Sequence, residues 1–314
     1  MHIKQVLDPS HADWVLGGIF RDLRAQSDIF ETKPAYLSSF PGIKKIFPWV
    51  GSFLALFKER KLLFSSITPL ENYFKFSRFL FRKQQIGLWF THQEGSFTSI
   101  QEKALRSCDV IFVHSNREKE RLSGIVSCRI VVVIGAIEPI RFAKNPRKGK
   151  CVLWIGTPNE RKNPGELIRF TLGNPELDFR ILGKGWKGTA AFDSIKGLPN
   201  VEYVEILGPL NSSDLDGCDI YLCTSLIEGG PMPLLEATAG NLKVISRDVG
   251  FVRDVFLRVG ISEQFIYSRY EEIRPLIEKH RADGAFPQYA EKVKEYSFLR
   301  LAETVVTGFD QFLG

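Results

Sequence analysis

Nine short apolar, β-branched runs punctuate the chain, and their order constrains the fold more than any other feature. HIKQVL (2–7), IGLWFT (86–91), DVIFV (109–113) and RIVVVI (129–134) come first, with helical spacing of apolar residues between them. After the basic segment FAKNPRKGK (142–150) the pattern restarts with CVLWIG (151–156), DFRIL (178–182), VEYVEI (201–206), DIYLC (219–223) and KVIS (243–246). Runs this apolar are buried on both faces, and helices between them supply the covering layers, so each set predicts a parallel α/β sheet. The restart predicts two domains, 1–146 and 147–295. A last segment, 296–314, carries Phe298, Leu301, Val305, Phe309 and Phe312 at helical spacing. Two such sheets are expected to turn the carboxyl ends of their strands towards a shared crevice, the usual ligand position in open α/β folds.

Charge separates the halves. Residues 1–150 hold 24 Lys+Arg against 13 Asp+Glu, whereas residues 151–314 hold 18 against 23. A basic first half suits an anionic partner, be it nucleic acid, a membrane surface or an acidic substrate. No uncharged apolar run is long enough to span a bilayer and no leader pattern opens the chain, which leads to a cytoplasmic expectation. The five cysteines lack the paired spacing of a zinc site and are expected to be reduced thiols. The histidines are scattered and no Asp-x-Asp pair stands at a strand end, so no metal is expected.

EGGPMPLLEATAGN (228–241) follows the predicted strand DIYLC and its loop. Pro233 is expected to open a helix that Gly240 and Asn241 stop, with Glu228 before it and Glu236 in its first turn. Gly229 and Gly230 would let the backbone run close to a ligand. Free N–H groups of Met232 and its neighbours after Pro231 would attract a phosphate or sugar oxygen, and the two glutamates would accept hydroxyls. The same pattern also serves as a plain helix-terminus charge effect of about 0.3–1 kcal/mol.

Two glutamates separated by seven residues in such a segment, followed by KVISRDVG, resemble the carboxyl-terminal half of retaining GT-B glycosyltransferases, the family 4 group in particular. CVLWIG with PNERKNPGELI resembles the segment in which a basic residue meets the donor diphosphate. DFRILGKG, VEYVEILGPLNSSDLDGCDIYLCTS and RIVVVIGAIEPIRF resemble further family segments in the same order. The resemblance implies two Rossmann-like domains, the second binding a nucleotide-diphosphate sugar as donor substrate, with no cofactor. It places Glu228 near the transferred sugar and Glu236 on the ribose hydroxyls. Lys162 and Arg161 fall on the leaving diphosphate, with Gly156, Thr157, Leu207, Gly229, Gly230, Pro231 and Met232 lining the donor. LWFTHQEG (88–95) implies a crevice-end histidine, His92, as a catalytic contact, and the terminal helix is implied to cross back to the first domain. The acceptor would be a glycan or lipid-linked glycan, as in cell-surface polysaccharide synthesis.

Several positions depart from the family pattern. Thr157 stands where an arginine is common, Ile134 where an asparagine is, and Asp254 where a glutamate is; DPSHADWVLGG replaces a glycine-rich turn. In that turn His11 and Asp13 are candidates for acceptor contact, or for surface exposure and helix capping respectively. Two other classes therefore stay open: a GT-B nucleotide-sugar isomerase or epimerase, and a non-catalytic GT-B-fold binding protein. Within residues 40–83, FPGIKKIFPWVGSFLALFKERKLLF and NYFKFSRFLFRK interleave rings and cations. They suit either an anionic membrane face or amphipathic packing on the first sheet. Nucleic acid is not expected, since no motif for it accompanies them.

Overall fold

In the computed structural model the described residues are 2–7, 21–25, 28–34, 56, 59–77, 84–91, 95–138, 141–142, 149–206, 210–283 and 288–310. The chain divides into two compact units, Met1–Ala136 with Phe298–Gly314, and Ile137–Ser297. The change of unit falls ahead of the basic segment because Ile137 donates its N–H to the Tyr296 carbonyl at 2.9 Å and pairs with Ser297, which ties it to the second unit.

The first unit holds a six-stranded parallel sheet: β1 (Ile3–Leu7), β2 (Phe30–Pro34), β3 (Lys61–Phe64), β4 (Gln85–Phe90), β5 (Val110–Val113) and β6 (Arg129–Val132). Its order is β2-β1-β3-β4-β5-β6. Two of these strands, β2 and β3, are not among the apolar runs of the sequence. β3 comes from the basic, aromatic stretch, and its Leu62, Leu63 and Phe64 are fully buried, as is Leu70 on the following helix Ile67–Ser77. Those side chains lie in the buried clusters of the first unit. The rest of 40–83 lies largely outside the described residues. Among the described residues no helix is long and apolar enough to cross a membrane.

The helix Phe298–Asp310 belongs to this first unit although it ends the chain. Its Phe298, Leu301, Val305 and Phe309 join Trp89, Val110 and Phe112 in one buried cluster. Gly87 on β4 is where the ring of Phe309 lands: a Cβ there would stand 2.5 Å from Phe309 Cζ.

The second unit repeats the architecture with β7 (Cys151–Ile155), β8 (Asp178–Gly183), β9 (Val201–Glu205), β10 (Cys218–Cys223), β11 (Lys243–Arg247) and β12 (Ile266–Tyr267). Every pairing is parallel, in the order β12-β11-β10-β7-β8-β9. Counted within the unit this is the 3-2-1-4-5-6 winding of the Rossmann fold, whose ligands sit at the carboxyl ends of the strands where the order reverses. Here the reversal lies between β7 and β10.

Candidate functional site

Two loops leave the carboxyl ends of β7 and β10 side by side, and each carries half of the candidate site. After β7 the chain makes a single 3-10 turn, Glu160–Lys162, capped by the Asn159 side chain, which accepts the Lys162 N–H at 3.1 Å. Asn163 then takes the left-handed conformation (φ 52°), which asparagine tolerates better than most residues, and Pro164 opens the helix Pro164–Gly173. After β10, Thr224–Pro231 run as a loop into the helix Met232–Ala239. The Leu226 N–H donates to the Arg161 carbonyl at 2.8 Å and so stitches the loops together.

That stitching brings three predicted residues into contact. Arg161 Nη1 donates to Glu228 Oε2 at 2.8 Å, and Lys162 Nζ stands 2.5 Å from Glu228 Oε1. The lysine contact is one of charge proximity, without the alignment of a hydrogen bond. The Glu228 side chain is only 5% exposed, whereas Arg161 is 37% exposed. A buried carboxylate is tolerable only when paired, and two cations on one carboxylate leave a net positive charge whose solvent-facing part is Arg161.

Glu236 lies one position further into its helix than the sequence reading placed it. The helix begins at Met232, so this carboxylate is at the fifth position, clear of the amino-terminal turn. Part of its surface remains open, yet enough of the protein surrounds it that burial lifts its pKa from 4.5 to about 7, with Asp214 adding to the rise. Arg141 and Lys162 pull the other way, which sets both cations in electrostatic reach of the carboxyl. Arg141 was not singled out from the sequence. Its signal was its place near the end of RIVVVIGAIEPIRF, a segment compared with the family only at Ile134.

Two glycines of this region make room for neighbouring groups of the protein. A Cβ on Gly230 would meet Phe251 Cε1 at 2.3 Å, so its missing side chain makes room for a buried ring. Gly183, at the end of β8, passes so close to the Gly156 carbonyl that a Cβ would stand 1.9 Å from that oxygen. The same carbonyl accepts the Trp186 indole N–H at 2.9 Å. Thr157 is used locally: its hydroxyl accepts from Asn159 Nδ2 at 2.8 Å. The cations of this loop are thus Arg161 and Lys162, four and five residues further on. Pro231 precedes the helix without a side-chain cap, and Met232 is its first residue. Ser115 caps the helix Asn116–Ser123 by accepting the Glu118 N–H at 3.2 Å. His92, His11, Asp13 and Leu207 lie outside the described residues. Among the described residues no group of three or more His, Cys, Asp or Glu side chains is arranged to hold a metal ion.

A Rossmann unit with a cation-and-carboxylate cluster at its switch point, on a chain with a second parallel α/β unit, has the GT-B architecture. Residues 136–279 match the model of the family described as glycosyl transferases group 1. The fold is GT-B, and the match to that family covers 144 of the 314 residues. Among curated relatives, the GtfA subunit of the UDP-N-acetylglucosamine–peptide N-acetylglucosaminyltransferase of Streptococcus pneumoniae is 22% identical over 236 residues, 70% of this chain and 46% of that protein. The chain therefore spans less than half of that relative, and 31% of the Streptococcus gordonii counterpart. Of solved structures, Anabaena HepE in complex with UDP aligns with a TM-score of 0.78 at 10% identity, covering 99% of this chain and 100% of that one. Sucrose-phosphate synthase from Thermosynechococcus elongatus aligns with a TM-score of 0.72 at 14% identity, covering 99% of both chains.

Proposed function

We propose that the protein is a retaining, metal-independent glycosyltransferase that takes its sugar from a nucleotide-diphosphate donor and delivers it to a glycan or lipid-linked glycan. The observation that carries this reading is the convergence of Arg161 and Lys162 on Glu228 at the switch point between β7 and β10.

The chemistry follows from the charges. When the bond between the sugar and the diphosphate breaks, negative charge grows on the departing phosphate. Cations already held in place then stabilise the transition state more than the ground state. Arg161 and Lys162 fill this role, exchanging some of their contact with Glu228 for the diphosphate. Glu228, released in part, faces the transferred sugar. Glu236 accepts the ribose hydroxyls, and Gly229 and the open start of the helix Met232–Ala239 contribute backbone N–H groups. His92 is the histidine we assign to catalysis. UDP is the first nucleotide to try, since the pneumococcal relative is named for a UDP sugar and the HepE structure holds UDP.

A peptide acceptor is the second reading. It is favoured by the named acceptor of the pneumococcal relative, whose match extends over 70% of this chain.

Thermal unfolding of wild type and Glu236→Ala with UDP, GDP, ADP, CMP and dTDP tests the donor site, because a ligand that prefers the native state raises its stability. A shift with one nucleotide that disappears in the variant supports the proposal. No shift with any of them at millimolar concentration overturns it.

A further inference from the structure

Thr224 is the first residue beyond β10, fully buried, and its hydroxyl links three chain segments. Trp154 on β7 donates its indole N–H to Thr224 Oγ1 at 2.9 Å. The same hydroxyl donates to the Lys162 carbonyl at 2.8 Å, with the Asn163 carbonyl at 3.3 Å. A hydroxyl has one proton and two lone pairs, so here the proton goes to the cation loop and one lone pair receives the tryptophan. The neighbouring Leu226 N–H holds the Arg161 carbonyl at 2.8 Å. The backbone carbonyls of both cationic residues are therefore fastened to the exit of β10.

We propose that Thr224, oriented by Trp154, is a positioning residue that sets the Arg161–Lys162 pair for the diphosphate of the donor. The proposal rests on the donor-site reading above. Lys162 is 12% exposed and reaches Glu228 along a side chain whose starting point is fixed by its own carbonyl. Without the hydroxyl, the buried Trp154 N–H loses its acceptor and the Lys162 carbonyl loses its donor. The loop then relaxes about Asn163, whose left-handed backbone is held against its own preference. Geometry at the β-phosphate suffers first, because that group is the one the cations hold. The nucleoside is assigned elsewhere, its ribose to Glu236.

Calorimetric titration of UDP, GDP and ADP and of their monophosphates into wild type, Thr224→Val and Thr224→Ser tests this. Valine keeps the shape and removes the hydroxyl; serine keeps the hydroxyl. The expected result is a loss of about tenfold in affinity for the preferred diphosphate in Thr224→Val, with its monophosphate changed by less than about twofold and Thr224→Ser restored towards wild type. Equal losses for diphosphate and monophosphate, or unchanged diphosphate affinity, overturn the positioning role. Should Thr224→Val fail to fold, Thr224→Ala and Trp154→Phe carry the same comparison. A wild-type protein that binds none of the nucleotides instead overturns the donor-site reading, a separate outcome that the variants do not decide.

Discussion

Arg161 and Glu228 are joined across the switch point of the second sheet, guanidinium to carboxylate at 2.8 Å, although sixty-seven positions separate them. The pairing means that Arg161 and Lys162 share a counter-charge within the protein itself. On the proposed donor reading, a diphosphate competes with Glu228 for the same two cations. Glu228→Gln is therefore expected to tighten the binding of a nucleoside diphosphate while abolishing most transfer, a divergence measurable by titration and by turnover. A variant that weakens both would show that Glu228 does not compete with the donor.

The two cations should differ in what they do for stability. Lys162 is 12% exposed and Arg161 37%, so the lysine is the partner that offsets more of the cost of burying Glu228. Lys162→Ala is expected to lower unfolding free energy by about 1–3 kcal/mol, below the full cost of stranding a buried charge because Arg161 remains. Arg161→Ala should cost less stability, yet both should slow transfer by about a hundredfold or more, as removal of a charge-stabilising donor does. Urea denaturation beside initial rates separates the two effects.

Glu236 gives the pH dependence a definite sign. Its folded pKa, about 7, lies above the ordinary 4.5 because burial disfavours the charged form. The folded protein thus holds a proton that the unfolded chain releases. The stability this contributes is complete below about 4.5 and is lost as pH rises through 7. A difference of that size amounts to roughly 3 kcal/mol. Wild type should lose stability relative to Glu236→Gln between pH 5 and pH 8, measured by urea unfolding. Ribose hydroxyls donate more strongly to a carboxylate than to a neutral acid, so nucleotide affinity should rise over the same interval in wild type and stay level in the variant.

The parts of this molecule that were legible in the sequence are those whose residues carry their own context. Runs such as DVIFV and DIYLC are apolar on both faces, and a strand buried on both faces leaves that mark. β2, FETKP, is an edge strand with charged residues, and β3, KLLF, is four residues long inside a stretch dominated by lysines and rings. Neither has a period to read. The paired glutamates and the Arg161–Lys162 pair could be named because residue type and position coincide. What could not be read was their mutual contact, since it depends on β7 and β10 becoming neighbours. The same holds for the contact of Gly230 with Phe251, a residue remote in sequence.

That glycine yields a packing prediction. Phe251 is fully buried, and a methyl group on Gly230 would approach its ring to 2.3 Å. Gly230→Ala should cost about 1–3 kcal/mol through overpacking. The double variant Gly230→Ala with Phe251→Leu should recover part of the loss, which a double-mutant cycle in thermal or chemical unfolding would register. Simple additivity would mean that the ring moves aside without strain.

The terminal helix provides a test of how the chain is tied together. Phe309 is fully buried against Phe112, with ring centroids 6.1 Å apart, and its ring fills the space that Gly87 leaves open. Removing a ring at such a site leaves a cavity that a parallel sheet cannot collapse around, so Phe309→Ala should destabilise the first unit by about 3–5 kcal/mol. The second unit, which shares none of that cluster, should keep its own stability. Limited proteolysis at increasing urea should then cut Phe309→Ala first within residues 2–136, with 137–297 surviving as a protected fragment. Protection lost from both units together would show that they unfold as one body, and that the helix stabilises more than the sheet it covers.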